Sequence, residues 1–253
     1  MSYAMSSSLV PTPPPGEDEL PYSDGEPMDS ERHRRQQALL TGSLELAWRD
    51  RDDVYVGGNM FVYFSETQVK KNDFRGPDVF IVLDTIRRER KSWVVWQEQG
   101  RTPDVVIELI SESTEKVDRG DKMRIYAQLL HVPHYYLFDP LTGVLEGYAL
   151  DVTKGRYMPM QPGPGGELPS PRLGLRLGVR RSIHQGIEAD WLRWIDESGR
   201  ALPTPEEQAR AAEEQARAAE EQARAAKEQA KSLAARIEAY ERRFGLLPPE
   251  EKA

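Results

Sequence analysis

Two short runs constrain this chain more than any other feature. "GPDVFIVLD" (residues 76–84) and "TPDVVIELI" (residues 102–110) each read as a buried strand, rich in Val and Ile. The second carries a carboxylate, Glu108, where a buried strand should be apolar. If the two strands are antiparallel neighbours, the start of one lies opposite the end of the other. Asp78 and Glu108 then meet at one edge of the sheet. Side chains alternate between faces, so Asp78, Phe80, Val82 and Asp84 share a face, as do Asp104, Val106 and Glu108. Two carboxylate clusters are therefore open, Asp78 with Glu108 and Asp84 with Asp104.

The next segment separates them. A helix is expected over about residues 117–131, and Lys122, Ile125, Tyr126 and Leu129 fall on one stripe of it. Lys122 thus lies on the apolar side, close to where the Glu108 strand ends. Two carboxylates bind a hard divalent cation through oxygen. Such a cation activates water and stabilises charge on a phosphodiester, and a nearby lysine orients that water or neutralises the transition state. The same residues also admit a purely structural reading, in which Lys122 pairs with Glu108 and the edge carboxylates are solvated.

Elsewhere the pattern alternates strand and helix. Residues 1–30 are rich in Pro, Ser and acid and read as a disordered lead. A helix follows, with Asp29 or Ser30 as N-cap and Leu39, Leu40, Leu44 and Leu46 on its apolar face. "DVYVGGNMFVYFS" gives strands around a Gly57-Gly58 turn or bulge. "HYYLFD", "GVLEGYAL" and "GRYMPM" give further strands, and a short strand plus an amphipathic helix over about 187–197 completes the body. Hairpins mixed with a helical crossover imply an α/β fold with a mixed sheet. Residues 31–200 form this body, and residues 204–245 a separate tail.

In the tail "EEQARAA" recurs with a period of seven. Ala209, Ala212, Ala216, Ala219, Ala223, Ala226, Ala230, Leu233, Ile237, Tyr240 and Phe244 follow alternating three- and four-residue steps, a heptad seam. Alanine buries little area, so the early heptads make a strong helix and a weak coiled coil. The stretch from Leu233 to Phe244 is the better surface for a coiled-coil partner. A solvated single helix is the alternative.

At the carboxylate and lysine positions the sequence resembles the Uma-two family, whose members have the restriction-endonuclease-like PD-(D/E)XK fold. The matching pieces are "GPDVFIVLD", "TPDVVIELISEST", "DRGDKMRIYA" and "HYYLFDP". The family pattern falls on Glu108, Ser111, Ser113, Thr114, Asp118, Arg119, Lys122 and Tyr126. The resemblance implies a mixed sheet flanked by helices and a metal-dependent nuclease core. Asp78 and Glu108 would be its Mg2+ (or Mn2+) ligands, and Lys122 its transition-state stabiliser. It also implies DNA as partner. The broader superfamily places its lysine two residues after the acid, where this chain has Ile110, and often has a glutamate on its first helix, for which Glu31 is the nearest candidate.

Composition narrows the remaining classes. With no cysteine among 253 residues, disulfides, thiolate-bound zinc and cysteine nucleophiles are excluded. The N-terminus does not read as a secretory signal, and no run reaches the length of a membrane span, so a cytoplasmic location is expected. The net charge of -8 does not argue against nucleic acid, because seven acidic residues and no Lys or Arg precede Arg32. Ser111, Ser113 and Thr114 lack a histidine base and are read as helix caps. Cutting both strands of a duplex needs two symmetric sites, so a homodimer is expected. An inactive nuclease-fold protein that assembles through its coiled coil is the second reading.

Overall fold

A computed structural model describes residues 13–22, 30–66 and 74–245. The chain divides into two compact units, Met1–Thr204 and Pro205–Ala253.

The first unit opens with α1 (Glu31–Ala47). Ser30 caps it, extended at φ -150, with its Oγ accepting from the His33 N–H at 3.4 Å. This satisfies one of the helix's unpaired amides. Asp29, the other expected cap, lies outside the described residues. Leu39, Leu40 and Leu44 are buried.

The central sheet contains β1 (Val54–Gly58), β4 (Val79–Leu83), β6 (Val105–Leu109), β7 (His134–Phe138), β8 (Leu145–Asp151) and β9 (Arg156–Pro159), in that spatial order. Only β6 and β7 pair in parallel; the other neighbours are antiparallel. The parallel step needs a crossover. It is made by α2 (Glu115–Val117), a π-helical turn Asp118–Lys122 and α3 (Met123–Gln128). Two smaller sheets complete the unit. One joins β2 (Val62–Tyr63) to β3 (Phe74–Arg75) and β5 (Trp93–Val94). The other stacks β10 (Leu168–Ser170), β11 (Leu175–His184) and β12 (Ile187–Ile195).

The central strands are covered on both faces, which is why β4 and β6 read as continuous apolar runs. One core joins Val79, Ile81, Val105 and Ile107 to Leu40 and Leu44 of α1 and to Leu192 and Trp194 of β12. The other joins Phe80, Val82 and Val106 to Ile125 and Tyr126 of α3. Glu108 belongs by alternation to this second face.

Three expectations fail, each for a physical reason. Residues 187–197 are not a helix. Gln185 and Gly186 both have positive φ (47 and 78), the geometry of a two-residue hairpin turn, and they fold β12 back onto β11. Ile187, Trp191 and Trp194 mimic a helical stripe only because the end of β12 is buried on both faces. Gly57 and Gly58 do not turn the chain; they are the end of β1, and a Cβ at Gly57 would lie 2.3 Å from the Phe80 ring. The positive φ falls on Asn59 (48). Within the lead, residues 1–12 and 23–29 lie outside the described residues, and part of 13–22 is anchored on the body while Pro13, Pro14, Asp18, Glu19, Pro21 and Tyr22 stay exposed. Leu20 is buried with Phe61, Tyr63 and Val94. Trp96 Nε1 donates to the Pro15 carbonyl at 3.0 Å, and Tyr63 OH to that of Pro21 at 2.5 Å.

The second unit contains α4 (Pro205–Phe244), one 40-residue helix in which no side chain is buried.

Candidate active site

The site forms where the β4–β6 pairing meets the crossover. The register pairs Val79 with Ile107, which sets Asp78 opposite Glu108. Asp78 Oδ2 accepts the Leu109 N–H at 2.7 Å. At the other end of the same pair Asp104 Oδ2 accepts the Leu83 N–H at 2.8 Å. Each Asp that opens a strand thus ties down the end of its neighbour. The alternative cluster does not form. Asp84 is exposed, in a left-handed conformation (φ 55), and the Asp104 Oδ1 oxygen is taken by Arg172.

Glu108 is fully buried. Its Oε2 accepts from Lys122 Nζ at 3.0 Å and its Oε1 from Tyr126 OH at 2.8 Å. Lys122 Nζ also lies 2.8 Å from Asp118 Oδ1, and Asp118 is itself buried. The three predicted site residues, Asp78, Glu108 and Lys122, are therefore brought to one place. Leu129, from the same predicted stripe, is exposed at the helix end.

Surrounding contacts fix the crossover. Tyr135 OH donates to the Asp118 carbonyl at 2.9 Å. Arg119 makes two bonds to Glu146 of β8, at 2.8 and 2.5 Å, and a third to Glu115 at 2.9 Å. A π turn leaves the regular i→i+4 ladder, and such turns are frequent at functional sites. Here it holds both Asp118 and Lys122. Thr114, at the N-cap of α2, makes no capping bond to the helix. Ser111 supplies a capping bond instead, its Oγ accepting the Thr114 N–H at 3.3 Å, and the same Oγ lies 2.9 Å from Ser113 Oγ and 3.3 Å from Thr114 Oγ1.

The electrostatics follow from counting charges. Asp78, Glu108 and Asp118 present three carboxylates to one ammonium in a buried setting. Burial pushes the Glu108 carboxyl up to about 8, helped by the negative charges of Asp78 and Asp118 and opposed by Lys122. Burial also raises the Asp78 carboxyl, against the pull of Lys122. Burial pushes the Lys122 ammonium down, but Glu108 and Asp118 outweigh it and hold it above its ordinary value. Burial raises the Tyr126 hydroxyl well above its ordinary value, so it stays a donor to Glu108.

A divalent cation fits this chemistry. Asp78 and Glu108 offer only oxygen donors, the set that magnesium and manganese prefer, and the cluster is short of positive charge. Among the described residues no three His, Asp or Glu side chains converge as a metal cage. The two carboxylates would therefore share the ion with water or substrate, as magnesium sites commonly do.

Sequence reasoning missed three neighbours as site residues. Asp118 and Tyr126 were visible in the family pattern, and Tyr126 also lay on the Lys122 stripe. His33 gave no signal. It is buried, with Nδ1 2.7 Å from Ser30 Oγ and Nε2 3.3 Å from the Ile110 carbonyl, two residues beyond Glu108. Glu31 does not join the cluster; it is exposed and paired with Arg35 at 2.5 Å.

The protein is thus α/β, a mixed sheet flanked by helices in which the buried Glu108 and the partly buried Asp78 meet a lysine from the crossover. The family model described as "Uma2: Putative restriction endonuclease" matches residues 13–184. The chain belongs to that family. No curated relative matches the chain. Among solved structures it is similar to "a putative nuclease belonging to DUF820 from Anabaena variabilis ATCC 29413", at 17% identity and a TM-score of 0.43, over 63% of this chain and 90% of that one.

Proposed function

We propose that the chain is a metal-dependent nuclease that hydrolyses phosphodiester bonds, with DNA as its substrate. The observation that carries this reading is Glu108, a fully buried carboxylate set opposite Asp78 and bonded by Lys122. Family membership supports it. Asp78 and Glu108 are the proposed ligands of Mg2+ (or Mn2+), which when bound supplies Lewis-acid polarisation and a water of lowered pKa.

The chain's own residues do the positioning. Tyr126 orients Glu108 through Oε1, and the Leu109 N–H orients Asp78. Lys122 presents a fixed ammonium to charge that develops on phosphate oxygens. Asp118 keeps that ammonium in place, and Lys122 supplies the charge that the apolar Ile110 lacks at the superfamily's lysine position. Asp118 is a positioning residue in this scheme, because it acts through Lys122.

The test is cleavage of plasmid and linear DNA with magnesium or manganese. Wild type is compared with Asp78→Asn, Glu108→Gln and Lys122→Met. Each substitution is expected to lower the rate by about 100-fold or more. Equal cleavage by all four proteins would sink the assignment.

A second reading has its own observation. Both oxygens of Glu108 are already occupied by Lys122 and Tyr126, as in a structural ion pair. In that case the fold serves assembly rather than catalysis, and manganese fails to bind the wild-type chain.

A further inference from the structure

The helical tail carries a surface that the nuclease site does not use. Leu233, Ile237, Tyr240 and Phe244 lie on one seam of α4 and are each 40% to 64% exposed. Tyr240 and Phe244 already contact one another, with ring centroids 4.9 Å apart. Scattered exposed apolar residues need no explanation, but four on one heptad seam do.

We propose that α4 joins two copies of this chain as a parallel, in-register, two-stranded coiled coil, seeded between Ala230 and Phe244. Along the seam Ala230, Ile237 and Phe244 take the a positions, and Leu233 and Tyr240 the d positions. Ile at a with Leu at d is the combination that favours two strands. The preceding a and d positions, from Ala209 to Ala226, are all alanine. They allow close approach yet bury little, so they extend the pair without driving it.

Charge selects the orientation. Arg236 is at g and Glu241 at the following e. In a parallel pair g faces the next e of the partner, so Arg236 meets Glu241 of the second copy, twice by symmetry. In an antiparallel pair g faces g, which sets Arg236 against Arg243 of the second copy. The parallel arrangement gains two attractions where the antiparallel one has two repulsions. The upstream heptads are neutral in this choice, because Gln208, Gln215, Gln222 and Gln229 hold their g positions.

The test uses the full chain. Light scattering over a concentration series should show mass rising from 28.8 kDa toward twice that value. Ile237→Glu should return the protein to monomer, and its exposed position keeps the helix folded. Arg236→Glu decides orientation, since it weakens a parallel pair and strengthens an antiparallel one. The double variant Arg236→Glu/Glu241→Arg should restore the dimer. Because the chain has no cysteine, Ala230→Cys gives an independent reading. A parallel in-register pair forms the 230–230 disulfide under mild oxidation. An antiparallel pair centred between Ile237 and Tyr240 holds the two thiols about 25 Å apart and does not. A monomer at every concentration, a dimer indifferent to Ile237→Glu, or a dimer tightened by Arg236→Glu would each overturn the proposal.

Discussion

Glu108 sets the behaviour of the site at the scale of single residues. Its carboxyl is raised to about 8, against an ordinary value near 4.5. The native state therefore holds a proton that the unfolded chain releases, so this group's contribution to stability falls as pH rises from about 4.5 to about 8, by at most about 1.4 kcal/mol per pH unit. Glu108→Gln removes that slope. Urea unfolding of both proteins at pH 5, 6, 7 and 8 checks it, and parallel curves would refute it. The same proton bears on the proposed metal. Manganese binding should release a proton at pH 7 and tighten toward pH 8. Calorimetry in two buffers of different ionisation enthalpy reads the proton count directly. Of these residues, Asp78, Glu108 and Lys122 were legible in the sequence, because period-two and period-3.6 spacing place them. Asp118 was harder to see. Its role depends on how it shares one ammonium with Glu108, which spacing does not encode.

Among the elements, the β4–β6 pair behaves as a reciprocal latch. Asp78 and Asp104 each accept the N–H at the end of the opposite strand. This gives the active-site tests a control. Asp104→Asn disturbs the same kind of latch at the far end of the pair, away from Glu108 and Lys122. It should lower thermal stability by about 1 kcal/mol and leave DNA cleavage intact, whereas Asp78→Asn should abolish cleavage. Equal loss of activity in both would mean that Asp78 acts only as a latch. Gly57 makes a second element-scale prediction. Gly57→Ala forces a methyl into the Phe80 ring and should cost about 1–3 kcal/mol, measured by urea unfolding. The β4, β6 and β7 runs were legible as short continuous runs of β-branched and aromatic residues bounded by turn residues, and the crossover by the helical spacing of Lys122, Ile125 and Tyr126. β12 was not, since its double-sided burial erased the alternation and its hairpin turn uses Gln-Gly rather than a stronger signal.

The whole molecule consists of two units with different physics. The first is held by buried cores on both faces of its main sheet. The second is a helix with no buried side chain. Glu206, Glu213 and Glu220 each stand four residues before an arginine, the favourable order for helix ion pairs. Removing residues 205–253 should therefore leave the melting temperature of the first unit unchanged while reducing the helical signal in circular dichroism. A large drop in melting temperature would show that the units are energetically coupled. The heptad period was plain in the sequence, but a seam alone does not reveal its occupant. The continuity of α4 also makes it a measuring rod. At about 1.5 Å per residue its 40 residues run about 60 Å, and Leu233 lies about 42 Å from its first residue. Laid along duplex DNA, that distance equals about 12 base pairs.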